Sequence, residues 1–152
     1  MRYQLICIGV AKRDFIVKGC QFYEARLRPF AHLKMLELRE SKAKTTAQVQ
    51  REESETLLAA ASGHSVSLDE SGKTMTSVAL ANYISELENR SISQMSFLIG
   101  GAEGHSDKLK ASVQASLSLS KLTLAHDLAR LVLLEQLYRA ETIRANHPYH
   151  RE

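Results

Sequence analysis

A single α/β domain, with a parallel sheet covered by helices on both faces, is what this 152-residue sequence predicts, and three observations carry that reading. Short apolar, β-branched runs alternate with longer helical patterns along the whole chain. Glycine, proline or a short polar loop separates each run from the next. No linker, internal repeat or low-complexity segment divides the sequence, so residues 1–152 are read as one domain, and 44% hydrophobic residues suffice for one core.

The elements follow in order. Residues 3–10 (YQLICIGV) form the first strand run, around Gly9, and Asp14 is the expected N-cap of a helix reaching about Leu27, where Pro29 breaks it. A short strand over residues 34–39 leads through the polar loop 41–46 into a helix that ends at about Ser62, before Gly63. Residues 65–69 read as a strand, 74–90 as a helix and 95–100 (MSFLIG) as a buried strand. Residues 106–117 read as a helix capped by Ser106, and 118–124 as a strand because serine or threonine alternates with leucine. The last helix runs from Asp127 to about Ala145, with Leu128, Leu131, Val132, Leu134 and Leu137 as its core stripe. In such a sheet, ligands bind at the carboxyl ends of the strands.

Charge is distributed unevenly. Residues 1–51 hold eleven Lys or Arg against four Asp or Glu, whereas residues 52–152 hold nine against thirteen. Arg2, Lys12, Arg13, Lys18, Arg26 and Arg28 are candidates to neutralise phosphates, although a solvated basic face explains the same charge. No apolar run approaches the roughly 18 residues of a membrane span, and Cys7 and Cys20 read as buried, reduced thiols. The expectation is a soluble, cytoplasmic protein without membrane contact.

The strongest local signal is FLIGGAEG (residues 97–104), an apolar strand running into three glycines and then a capped helix. Glycine lets backbone approach a ligand closely, and exposed N–H groups offer donors to a nucleotide-like molecule. The spacing is neither a dinucleotide fingerprint nor a phosphate loop, and a tight strand-to-helix turn accounts for it too. Downstream, His126 begins a helix with Arg130 four residues on, on the same face, and Glu135 and Arg139 further along. NHPYHRE (residues 146–152) gathers Tyr149, His150 and Arg151 around a proline that fixes the backbone, so a titrating group, an aromatic ring and a cation can act together. His147 and His150 lack partners in a recognised ligand spacing, so no metal is expected.

Four blocks, LDESGKTMTS (68–77), LIGGAEGHS (98–106), LSLSKLTLAHDLARLVLLEQLYRA (117–140) and NHPYHRE (146–152), together resemble the RlmH family of SPOUT-class methyltransferases. The resemblance implies a SPOUT fold with a C-terminal trefoil knot and a homodimer whose subunits complete the active site. It also implies S-adenosylmethionine as cofactor, and as substrate the N3 position of a pseudouridine in 23S ribosomal RNA within the ribosome or large subunit. Carried over by position, it sets the cofactor against Leu68, Gly101 and the loop Ser120, Lys121, Leu122, Thr123, Leu124 and Ala125, beside the Gly100 to Gly104 turn; Ala125 stands where the family commonly has proline. Catalysis is assigned to His126, Arg130, Tyr149, His150 and Arg151, with His126 or His150 as proton acceptor. The alternatives are a SPOUT methyltransferase for a different RNA nucleotide and a non-catalytic, ribosome-associated RNA-binding module. Three further expectations follow. A side chain at Gly101 would clash with the ligand, pairing of two copies would bring the basic first third to the cofactor segments, and a tail free of the core would be lost at little cost in stability.

Overall fold

The protein was analysed as a computed structural model, which describes residues 1–150. The chain runs β1 (Arg2–Ile8), α1 (Asp14–Leu27), β2 (His32–Leu38), α2 (Thr46–Ala60), β3 (His64–Thr74), α3 (Ser77–Asn89), β4 (Gln94–Ile99), α4 (Asp107–Ser112), β5 (Ala115–Ser118) and α5 (His126–Arg144). The five strands form one sheet in the order β2-β1-β4-β3-β5, every pair parallel. Among the described residues, no helix is long and apolar enough to cross a membrane.

Strand alternation divides the core into two layers. Tyr3, Leu5 and Cys7 of β1 join Met95, Phe97 and Ile99 of β4 on the face covered by α1, α3 and α5, where Ile16, Ile84, Leu133, Leu134 and Leu137 are buried. Ile6, Ile8 and Leu98 point the other way, onto Leu57 of α2 and Leu109 of α4. Cys7 and Cys20 are free and buried, and burial pushes the Cys7 thiol up to about 12. Of the stripe expected on α5, Leu134 and Leu137 are fully buried and Leu128 and Leu131 pack half-buried against the core, whereas Leu133 takes the buried place expected of Val132.

All ten elements occur in the expected order, and the boundaries differ where side chains compete with the backbone. Arg13, not Asp14, is the N-cap of α1; Asp14 lies in the first turn and pairs with Lys18 at 2.7 Å. Leu109, Val113 and Leu117 recur at helical spacing, yet α4 ends at Ser112 and residues 115–118 are already the edge strand. The serine-leucine alternation after them is a loop, because the Ser118 hydroxyl donates to the Ser120 carbonyl and the Leu122 N–H donates to the Ser120 hydroxyl oxygen, both at 2.9 Å. Such local bonds offer the backbone an alternative to a ladder. β3 is longer than expected and bulged, so that Leu68 and Lys73 both take Leu117 as register partner.

Parallel strands also revise the argument for pairing. The loops after β1 and β2, carrying exposed Lys12, Arg39, Lys42 and Lys44, leave the sheet at the same edge as the loops after β4 and β5. One chain therefore brings its basic and glycine-rich segments to one edge by itself.

Candidate functional site

At this edge lies a cleft of about 590 Å³, between the glycine turn after β4 and the loop after β5. β4 is apolar and buried up to Ile99, and the chain then turns sharply, the Gly104 N–H donating to the Gly101 carbonyl at 3.2 Å. Gly104 has φ +68°, the left-handed region that glycine enters without strain, and a Cβ there would face open space. Ser106 then caps α4, its hydroxyl accepting from the Leu109 N–H at 3.2 Å, while its own N–H donates to the Ser54 hydroxyl of α2 at 2.9 Å. The Gln50 side-chain amide holds the turn from outside by donating to the Glu103 carbonyl at 3.0 Å.

The opposite wall comes from β3 and residues 119–125. The Thr123 hydroxyl donates to Glu70 at 3.0 Å, and Lys110 pairs with Asp69 at 2.8 Å. Burial works to raise the Asp69 carboxyl, but hydrogen bonds from Lys110 and Ser71 outweigh it and bring the group down to about 2. Asp69 is therefore an anion. Leu122, 77% exposed, leaves a large apolar side chain at the rim.

Leu68, Gly100, Gly101, Gly104, Ser120, Leu122, Thr123, Leu124 and Ala125 all line the cleft, as does His126 at the start of α5. Lys121 does not line it. Arg130 is elsewhere: its guanidinium, 1% exposed, pairs with Glu37 of β2 and donates to the Gly9 carbonyl at 3.0 Å, bracing α5 against the ends of β1 and β2. The tail is also apart from the cleft. Asn146, at φ +52°, reverses the chain after α5, and the His147 N–H returns to the Thr142 carbonyl at 2.8 Å. Tyr149 thereby packs at a tilt against Tyr138, with ring centroids 4.6 Å apart, and its hydroxyl donates to Glu135 at 3.2 Å. Burial, then hydrogen bonding with Tyr23 and the Glu135 charge, push that hydroxyl well above the usual phenol value, so Tyr149 is a donor and not a base. Glu135 is nine residues from His126, or roughly 14 Å along the helix. Arg151 lies outside the described residues.

Two buried groups escaped the sequence reading. His105 donates from Nε2 to the Leu68 carbonyl at 3.1 Å and its Nδ1 has no partner; burial holds its imidazole below the ordinary value. Its only signal was its place inside the GGAEGHS block. Glu53 of α2 accepts from the Ser41 N–H at 3.0 Å through one oxygen, while the other has no partner and would lie 2.8 Å from a Cβ at Gly101. That contact corrects the expected Gly101 clash: a side chain there meets Glu53 and Ile8 on the α2 side, rather than a ligand in the cleft. Nothing in the sequence around Glu53 marks it as more than a surface helix residue.

Among the described residues, no cluster of three His, Cys, Asp or Glu is placed to hold a metal ion. The cleft is of small-molecule size, with backbone donors, a neutral imidazole and fixed carboxylates around an apolar floor.

A family model described as "Predicted SPOUT methyltransferase" matches residues 1–150. A protein of Geobacter sp. (strain M21) named "Ribosomal RNA large subunit methyltransferase H" is 38% identical over 154 residues, covering all of both chains. Proteins of the same name from Gloeobacter violaceus and Thermus thermophilus are each 38% identical over 152 residues, covering 99% of both chains. Among solved structures, the SpoU methyltransferase AviRb of Streptomyces viridochromogenes, in complex with AdoMet, aligns with 96% of this chain and 61% of its own at 14% identity and TM-score 0.46.

Proposed function

The chain belongs to the SPOUT methyltransferase family, and on that premise we propose that it methylates large-subunit ribosomal RNA with S-adenosylmethionine as donor, at N3 of a pseudouridine in 23S rRNA. The observation that carries this reading is the cleft, where the Gly100 to Gly104 turn and residues 120–125 face each other across a space suited to a nucleoside with an amino-acid arm. The fit has two further supports. A Cβ at Gly104 would meet only open space, and His105, with an unpartnered Nδ1, is buried in the lining. The relatives' name supports the substrate class.

The bound cofactor supplies a methyl group already activated on a sulfonium, so the chain needs no covalent nucleophile. Its residues hold the donor and the base in line and manage one proton. The glycine-turn N–H groups and the loop after β5 orient the donor, while Asp69 and Glu70 place negative charge on the wall. The N3–H proton would pass to an imidazole, His126 at the end of the cleft or His150 of the tail, and the nitrogen electron pair would bond the methyl carbon as that carbon's bond to sulfur breaks, its electron pair staying on sulfur. The ring of Tyr149, whose hydroxyl donates to Glu135, would hold the base by packing against it, with His150 and Arg151 next to it in sequence.

Within one chain Tyr149 and His150 are outside the cleft lining, and this supports a homodimer in which the tail of one copy completes the cleft of the other. Exposed Val10, Phe15 and Phe22 on the α1 side and Leu122 on the rim offer apolar surface to a second copy. The family resemblance also implies a C-terminal trefoil knot, which belongs to the same proposal. We place the protein in the cytoplasm, with the ribosomes. Mass spectrometry of 23S rRNA from cells lacking the protein tests the proposal: loss of one methyl from a pseudouridine is expected, and an unchanged methylation pattern would overturn it.

A further inference from the structure

We infer that Glu135 and Arg139 are positioning residues that fix the ring of His150 in one tautomer, so that it presents an N–H donor to the substrate base and leaves proton acceptance to His126. The inference rests on the methyl transfer proposed above and adds to it a division of labour between the two histidines.

A Glu and an Arg four residues apart on a helix are commonplace and by themselves mean little. Here the pair is built into the tail. Arg139 donates from Nε and Nη2 to Glu135 Oε1 at 3.0 and 2.5 Å, which aims the guanidinium along the helix surface. Its face lies over the Tyr149 ring, 4.9 Å from the centroid, and the Tyr149 hydroxyl donates to the same Glu135 oxygen at 3.2 Å. The remaining nitrogen, Nη1, reaches Nδ1 of His150 at 3.4 Å.

The consequence comes from donor chemistry. A guanidinium has five N–H groups and no acceptor, so the imidazole nitrogen facing it must be the acceptor. The ring proton of neutral His150 is then on Nε2, on the side turned away from Arg139. An Nε2–H can donate to a carbonyl oxygen of a nucleobase, where negative charge grows as the imide proton leaves, but it has no lone pair with which to take that proton. His126 lines the cleft and its side chain makes no hydrogen bond among the described residues, so its ring is available as the acceptor.

Nitrogen-15 correlation spectra of the imidazole rings, recorded on the whole protein, read the tautomer directly. In the wild type, His150 should show protonated Nε2 and unprotonated Nδ1; Arg139→Met should give a mixture of tautomers, and Arg139→Lys, which still donates, should retain much of the wild-type pattern. In parallel, Arg139→Met should lower kcat for methyl transfer to large ribosomal subunits by roughly 10-fold to 100-fold, with KM for S-adenosylmethionine little changed. A mixed tautomer in the wild type overturns the inference, and so does a folded Arg139→Met protein with unchanged His150 spectrum and kcat. The wild-type spectrum decides the question even if Arg139→Met fails to fold. Absence of methyl transfer by the wild type would count against the proposed function and leave the spectroscopic result standing.

Discussion

Arg130 shows how one side chain can be read correctly for type and wrongly for place. Its spacing from His126 puts both on one face of a helix, but that face crosses from the cleft to the core within a turn, and the guanidinium ends among Glu37 and Gly9. Removing its counter-charge while leaving it buried is costly: Glu37→Gln should destabilise the protein by about 2 kcal/mol, and pairing it with Arg130→Met should recover part of the loss. Chemical denaturation of the two single variants and the double variant measures this coupling, and strictly additive effects would show that the brace contributes nothing. His105 gives a second residue-scale expectation. Burial lowers its folded pKa, so it contributes stability above the ordinary imidazole value of 6.5 that is lost as pH falls through the folded value. Melting temperatures recorded downward from pH 7 should therefore fall more for the wild type than for His105→Asn; parallel curves would contradict this. Neither residue could be placed from sequence, since burial and partner choice depend on elements distant in the chain.

The order and type of the elements were legible because apolar runs, glycine stops and caps such as Ser106 are local signals. The segment 113–125 was not, because Leu109, Val113 and Leu117 mimic a helix and the following serines mimic a strand, whereas pairing with β3 and serine-to-backbone bonds decide the outcome. The glycine turn could be named from sequence because it follows a recognisable strand end, whereas residues 120–125, read as part of a strand, were reached only through the family resemblance. The tail, expected to act in catalysis and to be lost at little cost in stability, doubles back on α5 with Tyr149 against Tyr138, Glu135 and Arg139. Deleting residues 149–152 should therefore cost about 1–2 kcal/mol, lowering the melting temperature by roughly 2–8 °C, while cofactor affinity stays within about twofold and methyl transfer is nearly abolished. Calorimetry and a methyl-transfer assay on the truncated protein check all three, and full activity would move the chemistry to His126 alone.

Across the whole molecule, the parallel sheet gathers the cofactor cleft and the basic loops after β1 and β2 at one edge, while the reversal after α5 carries Tyr149 and His150 roughly 14 Å along the helix from His126. The described residues of one chain do not bring the tail to the cleft, which is why the proposed function rests on a second copy. Mixing two defective chains tests it most directly. Ala129→Phe fills the cleft and keeps the tail; deletion of residues 149–152 removes the tail and keeps the cleft. Each should be inactive alone, and subunit exchange between them should restore about one quarter of wild-type methyl transfer from labelled S-adenosylmethionine to large ribosomal subunits, because half the dimers then hold one intact composite site. No recovery from a mixture shown to be folded and exchanged would contradict the account.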